Sequence, residues 1–293
     1  MLNVALWLHF RAFYQSLLEP LWAISFRINI GFVRRSEFCY YSHLMIFKNK
    51  VALITGGSRG IGKSIVLTLA KEGCHIFLNY VNNDAAAEEV QKEASTLGVK
   101  VELYKANAGD PNEIKKMTTS CAEKLGRLDF LIHNAALGAF KPVMKLRENQ
   151  WNLSLDINAK AFFLFAQAAA PYLEKTGGRL LSLSSLGSQK FLDDYGAIGI
   201  SKATLECLVR YLAVELGPKG IRVNCVSGGP IDTDALKMFP KYETMKIQCA
   251  EHTPLGRLGK PEDISKVIKF LCSSDSDWIT GQTIVADGGL SLR

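Results

Sequence analysis

Thr55-Gly56-Gly57-Ser58-Arg59-Gly60-Ile61-Gly62 is the stretch that decides how this chain folds. It follows the continuous apolar run Val51-Ala52-Leu53-Ile54 and opens directly into a segment of helical period, 61–72. A strand, a glycine turn and a helix in that order present free backbone amides at a helix N-terminus, where negative charge is favoured. The glycines let the backbone turn tightly and approach a pyrophosphate closely. A structural turn is the alternative reading, and the strand before and helix behind argue against it.

Outward from this stretch, short apolar runs alternate with longer amphipathic ones, without repeats or low-complexity tracts. Strands are expected at 50–55, 75–79, 100–105, 128–132, 179–184, 221–226 and 282–286, with helices such as 61–72, 84–97 and 111–125 between them. Runs such as Phe130-Leu131-Ile132 are continuous rather than alternating, as in parallel strands covered on both faces. The expected fold class is therefore α/β: a doubly wound seven-stranded parallel sheet with helices on both faces. Ligands of such sheets bind at the strand carboxyl ends.

Of the 293 residues, 48% are apolar and 22% charged, which is ordinary globular composition. The formal charge is +7, but Lys and Arg are scattered rather than gathered in runs with aromatics, which argues against nucleic-acid binding. Seven dispersed cysteines show neither CxxC pairing nor a His cluster, so reduced thiols in a cytoplasmic setting and no metal site are expected. Residues 1–44 differ: they contain no Lys and are crowded with aromatics such as Trp7, Phe10 and Trp22. Arg11, Glu19 and Arg27 interrupt their apolar stretches, so no membrane span is expected. We read 1–44 as a leader, with Met45 the true start or mature end, and 45–293 as one catalytic domain.

The second strand ends in Asn79-Tyr80, without the acid that would receive the ribose hydroxyls of NAD. Arg59 stands where a guanidinium could meet a 2′-phosphate, which favours NADPH. Alternatively, Arg59 is a solvated surface charge and Asp84 takes the acid's role.

The spacing Gly-x-x-x-Gly-x-Gly (Gly56, Gly60, Gly62) resembles the short-chain dehydrogenase/reductase family, and later landmarks extend the likeness over about 48–290. The resemblance implies a Rossmann-like fold with the cofactor's phosphates held at Gly56, Ser58, Arg59, Gly60, Ile61 and Gly62, Arg59 being the one that faces the 2′-phosphate. It implies that Asn107-Ala108 flank the adenine, beside Asn79, and that Asn134 of His133-Asn134-Ala135-Ala136 lies beside the cofactor. Asn158 matches the family's buried helix Asn; a merely structural polar bond is the alternative. In Gly228-Gly229-Pro230-Ile231-Asp232-Thr233 the Ile231 backbone and Thr233 hydroxyl would address the nicotinamide amide and phosphate.

Ser184, Tyr195 and Lys202 form the expected catalytic set. Relatives that reduce ketones place Tyr four residues before Lys, where this chain has Ile198; Tyr195 stands seven before. On a helix, seven residues return to within roughly 20° of one face, displaced by about 10 Å. In ketone reduction hydride and proton go to the two ends of one C=O. In enoyl-thioester reduction hydride enters C3 while charge gathers on the thioester oxygen, so the acid must sit further out. Tyr195 is expected to stabilise that enolate. Lys202 would grip the nicotinamide ribose and favour phenolate character in Tyr195. Ser184 would add a donor, unless it is a strand-end turn residue.

The Tyr-x6-Lys spacing and the strings around it are similar to the NADPH-dependent enoyl-acyl carrier protein reductase III (FabL) branch. That resemblance implies reduction of trans-2-enoyl groups on acyl carrier protein in fatty-acid elongation, by a homotetramer. Ser185 stands where commoner enoyl reductases carry a further Tyr. Between Thr233 and Pro254, Met238, Phe239, Tyr242, Met245 and Ile247 alternate with Lys237, Lys241 and Lys246. This suits either a substrate lid whose lysines attract the acidic carrier or an amphipathic helix with a solvated basic face. The rival activity is an NADP-dependent ketoreductase or alcohol dehydrogenase of the 3-oxoacyl or steroid type.

Overall fold

The computed structural model describes residues 45–238 and 242–293; the expectations for 1–44, and those for Phe239 and Lys241, lie outside them. Seven strands form one parallel sheet: β1 Val51–Ile54, β2 His75–Tyr80, β3 Val101–Lys105, β4 Phe130–His133, β5 Arg179–Ser185, β6 Arg222–Gly228 and β7 Thr283–Ala286. Their spatial order is β3-β2-β1-β4-β5-β6-β7, so the strand order reverses between β1 and β4. Each of the seven expected strands is present, with ends displaced by no more than two residues.

The helices that matter to the site are α1 Gly60–Lys71, α2 Asp84–Ser95, α3 Pro111–Leu125, α4 Glu148–Leu155, α5 Ala161–Glu174 and α6 Gly196–Leu216. After them come the single turn α7 Asp234–Lys237, then α8 Tyr242–His252 and α9 Pro261–Cys272. A π-helical turn, Asp156–Lys160, joins α4 to α5. Helix α3 begins and ends where its sequence says it should. Asp110 caps the amides of Asn112 and Glu113, Pro111 fills the first turn, and Gly126 leaves the helix in the left-handed region at φ 80°.

The two faces of the sheet bury separate apolar clusters. One gathers Ala52, Ile54, Ile65, Leu69, Ile76, Leu78, Ile132 and Ile268, beneath α1, α2 and α9. The other gathers Val51, Leu53, Phe77, Met117, Leu131, Phe162, Phe165 and Leu205, beneath α3, α5 and α6. Adjacent β1 residues thus supply opposite cores, which is why the strand carries no polar residue.

Candidate active site

At the switch point between β1 and β4, the glycine loop is shaped for a close-lying anion. A Cβ on Gly62 would lie 2.1 Å from the Gly56 carbonyl oxygen, and Gly56 itself has φ +64°. Only glycine permits both the approach and the left-handed turn. Arg59 is the N-cap of α1, yet no side chain caps this helix and no acid sits in its first turn. The first amides of α1 are therefore left for a ligand of negative charge. Asn134 braces the loop through Nδ2, which donates to the carbonyls of Thr55 and Gly56, each at 2.9 Å. Across the cleft, the Thr233 methyl lies 3.4 Å from where a Gly60 Cβ would be. Ile231 is buried and forms a parallel bridge with Gly259. Ser58 and Ile61 are half-buried along the same rim. This cradle fits a dinucleotide pyrophosphate.

Towards the adenosine end the residues divide. Asn79 is fully buried and donates to the carbonyls of Tyr104 (3.2 Å) and Ala106 (2.8 Å), tying β2 to the end of β3, while its Oδ1 has no partner. Asn107 is exposed and accepts from the Gly109 amide at 2.9 Å, with Ala108 buried beside it. Asp84 is already engaged: it accepts from the Tyr80 hydroxyl at 2.8 Å and from Lys105 at 2.7 Å, and these contacts hold its carboxyl below the usual range. Arg59 is exposed; the Asp234 carboxyl is held below its usual range by Lys237 first, with a smaller contribution from Arg59.

The chemistry gathers at the end of β5. Tyr195 immediately precedes α6, delivered by Asp194 at φ 57°, a left-handed turn that Asp tolerates better than most residues. One edge of its ring packs on Gly187, where a Cβ would come within 2.4 Å of Tyr195 Cδ1, and the ring centre lies 6.1 Å from that of Phe140. Burial pushes the Tyr195 phenol up, and a hydrogen bond with the Ser185 hydroxyl pulls it part of the way back. The serine that meets Tyr195 is therefore Ser185. Ser184, the expected donor, instead donates to Glu206 at 2.5 Å. Successive strand residues face opposite sides of the sheet, so only one of two adjacent serines can reach the phenol.

Ile198, four residues before Lys202, is buried and packs on Gly138. Lys202 itself is buried, and its Nζ donates to the Leu183 carbonyl at 2.6 Å. Burial brings its pKa down to about 8. Burial and the Ser185 hydroxyl are the influences that set the direction of the Tyr195 phenol's shift.

Behind the site runs a buried polar chain whose full extent the sequence did not reveal. His133 is buried; its Nε2 lies 3.0 Å from the Ile157 carbonyl and its Nδ1 3.3 Å from the Thr55 hydroxyl. A carbonyl can only accept, which assigns the proton to Nε2 and lets Thr55 donate to Nδ1. Thr55 Oγ1 in turn accepts from the amides of Asn134 and Ala135. Asn158, in the π turn, accepts from the Leu137 amide at 2.9 Å and donates to the Leu137 carbonyl and to Ser201 Oγ at 2.8 Å. Hydrogen bonds thus tie the glycine loop to the π turn at Ile157 and the π turn to α6 at Asn158.

A cavity of about 380 Å³ opens beside Tyr195, walled by Val143, Met144, Phe191, Leu192 and Ile200, with Lys141 and Lys190 among its lining. Met144 and Phe191 are 94% and 87% exposed, unusual for large apolar side chains unless something covers them. In the expected lid, α8 buries no residue. Lys237 pairs with Asp234 at 3.0 Å, and Lys246 lies 5.9 Å over the Tyr242 ring.

Residues 56–291 match a family model described as Enoyl-(Acyl carrier protein) reductase. The chain belongs to the short-chain dehydrogenase/reductase family. It is 37% identical over 247 residues to 1-cyclohexenylcarbonyl-CoA reductase of Streptomyces collinus, covering 84% of this chain and 88% of that one. Similarity is also strong to the 3-oxoacyl-[acyl-carrier-protein] reductase FabG of Thermotoga maritima, 34% identical over 254 residues, 85% of this chain and all of that protein. Among solved structures, a mutant of a Serratia marcescens short-chain dehydrogenase/reductase superposes with a TM-score of 0.79 at 31% identity, covering 84% of this chain and 99% of that chain. The protein is thus an oxidoreductase of this family, whose members work with nicotinamide dinucleotides. Among the described residues no helix is long and apolar enough to cross a membrane.

Proposed function

We propose that this short-chain dehydrogenase/reductase is an enoyl-thioester reductase that uses NADPH. The observation that carries the reading is the placement of the phenol. Tyr195 stands at the mouth of α6, seven residues before Lys202, while the position that serves ketone reduction is filled by a buried Ile198. The raised phenol remains protonated at neutral pH and so can donate to an oxygen that gains charge two carbons beyond the reacting carbon. When bound, the nicotinamide supplies the hydride. The protein's own part is to hold the pyrophosphate at the glycine loop, the ribose at Lys202 and the thioester oxygen at Tyr195, with Ser185 fixing the phenol's direction.

Support for NADPH over NADH comes from the absence of an acid at the end of β2, the engagement of Asp84 by Tyr80 and Lys105, and the exposed guanidinium of Arg59. An acyl chain suits the apolar walls of the cavity beside Tyr195. The lysines near that mouth and on the 233–254 segment suit an acidic acyl carrier protein of fatty-acid elongation, in a cytoplasmic homotetramer of the FabL kind.

Following NADPH oxidation at 340 nm with crotonyl-CoA and acetoacetyl-CoA, for wild type and Tyr195→Phe, tests the proposal. Reduction of the enoyl thioester alone, lost with the phenol, is the expected result. Preferential reduction of acetoacetyl-CoA would establish a ketoreductase whose proton donor lies elsewhere.

A further inference from the structure

Helix α6 carries a second buried charged residue one turn beyond Lys202. Glu206 is 6% exposed, and its Oε1 accepts from the hydroxyls of Ser184 at 2.5 Å and Ser188 at 2.6 Å. Gln189 Nε2 reaches its other oxygen at 3.4 Å. A buried carboxylate costs several kcal/mol unless it is paired and hydrogen-bonded, so its retention here calls for a reason. Its three partners all belong to the 184–189 turn, which links β5 to the segment ahead of Tyr195. Within that turn Ser188 Oγ also lies 2.8 Å from the Ser185 carbonyl, and the Ser185 hydroxyl is the group that meets Tyr195.

The charge has a second correspondent. Lys202 is buried with its Nζ on a neutral carbonyl, and among the described residues no ion pair engages it. From β4 it faces His133, whose pKa is held down to about 3 and which is therefore neutral; from β6 it faces Cys225, whose thiol is pushed up to about 12. Glu206 is the carboxylate that acts on it, favouring the protonated ammonium.

We propose that Glu206 is a positioning residue of this active site: it pins the 184–189 turn so that Ser185 meets Tyr195, and it supplies the negative charge that offsets the buried ammonium of Lys202. The inference rests on the reading of Tyr195 and Lys202 as the chemical pair, not on which thioester is reduced.

Two substitutions separate the two tasks. Glu206→Asp keeps the charge but shortens the reach to the serines; Glu206→Gln keeps the reach but removes the charge. Wild type is first assayed on enoyl and keto thioesters, and the variants are then measured on whichever substrate it turns over, so failure of the enoyl reading leaves this test intact. Glu206→Asp is expected to lose about tenfold to a hundredfold in kcat with little change in the NADPH KM, as for an ångström-scale misplacement of a reacting group. Glu206→Gln is expected to move the alkaline limb of the kcat/KM profile to lower pH, because an ammonium without its anion gives up its proton more readily. In the cofactor-free protein, hydrogen exchange of a peptide spanning 184–192 is expected to quicken in Glu206→Asp. Ser188→Ala, which leaves the buried charge in place, serves if the Glu206 variants do not fold. It should lower kcat without moving the limb. Wild-type kcat, pH profile and exchange in the folded variants, or a limb shift in Ser188→Ala equal to that of Glu206→Gln, would overturn the proposal.

Discussion

At the scale of single residues, Arg59 and Asn79 mark the two ways in which a side chain can serve a cofactor. Asn79 is turned inward, where it ties two strand ends together. Arg59 is turned outward and makes no cap to its own helix. A charge-assisted hydrogen bond is worth roughly 1.5–3 kcal/mol. Arg59→Ala is therefore expected to raise the KM for NADPH by about tenfold to a hundredfold and to leave that for NADH nearly unchanged. Equal losses with both cofactors would assign Arg59 to the pyrophosphate rather than the 2′-phosphate. The serines show where reading a sequence stops. Ser184 and Ser185 are chemically identical neighbours, and their alternation across the strand was foreseeable, but which face would meet Tyr195 depends on a turn whose path no local pattern encodes. Glu206 did leave a signal, as an acid on the buried face of a long helix, four residues after Lys202.

At the scale of elements, the strands were legible because a parallel sheet covered on both sides demands uninterrupted apolar runs, and few other structures do. Helix α3 was legible to the residue because its start and stop signals are complete. The connection from β5 to α6 was not. It is a short 3-10 turn followed by irregular chain, and its path is set by packing: Gly187 against the Tyr195 ring, Gly199 against the Gly187 carbonyl. Gly187→Ala would place a methyl 2.4 Å from the ring and force Tyr195 aside. Its expected effect is a loss of kcat of at least about tenfold, with thermal stability of the cofactor-free protein changed by no more than a few degrees. Unaltered turnover would show that the phenol is not where the chemistry happens.

At the scale of the whole molecule, the buried histidine ties acid sensitivity to the fold. The His133 pKa is held down to about 3 by burial and by the Lys202 charge, against about 6.5 for a histidine in an unfolded chain. Between those values the unfolded state binds a proton that the folded state refuses. Stability then falls as pH falls, by up to about 1.4 kcal/mol per pH unit from this group. His133→Gln, measured by urea unfolding from pH 7 to pH 4, should show a flatter dependence than wild type. Parallel slopes in the two proteins would mean that the imidazole is protonated in the fold after all. Such a variant also severs the bonds joining Thr55 to Ile157, so its stability at pH 7 should be lower.

The packing of α1 against α9 sets an order of events during synthesis. Ser64 bonds Ser265, 201 residues later in the chain, and Glu72 pairs with Lys269. Ribosomes add about 5–20 residues per second, so the helix that cradles the phosphates emerges some 10–40 s before the helix that packs beside it. Until then the apolar side of α1 has only β1, β2 and α2 to pack on, and the flank that meets α9 stays open to water. A chain that stops short of α9 therefore leaves Ser64, Thr68 and Glu72 without their partners Ser265 and Lys269, and the cradle helix without its flanking support.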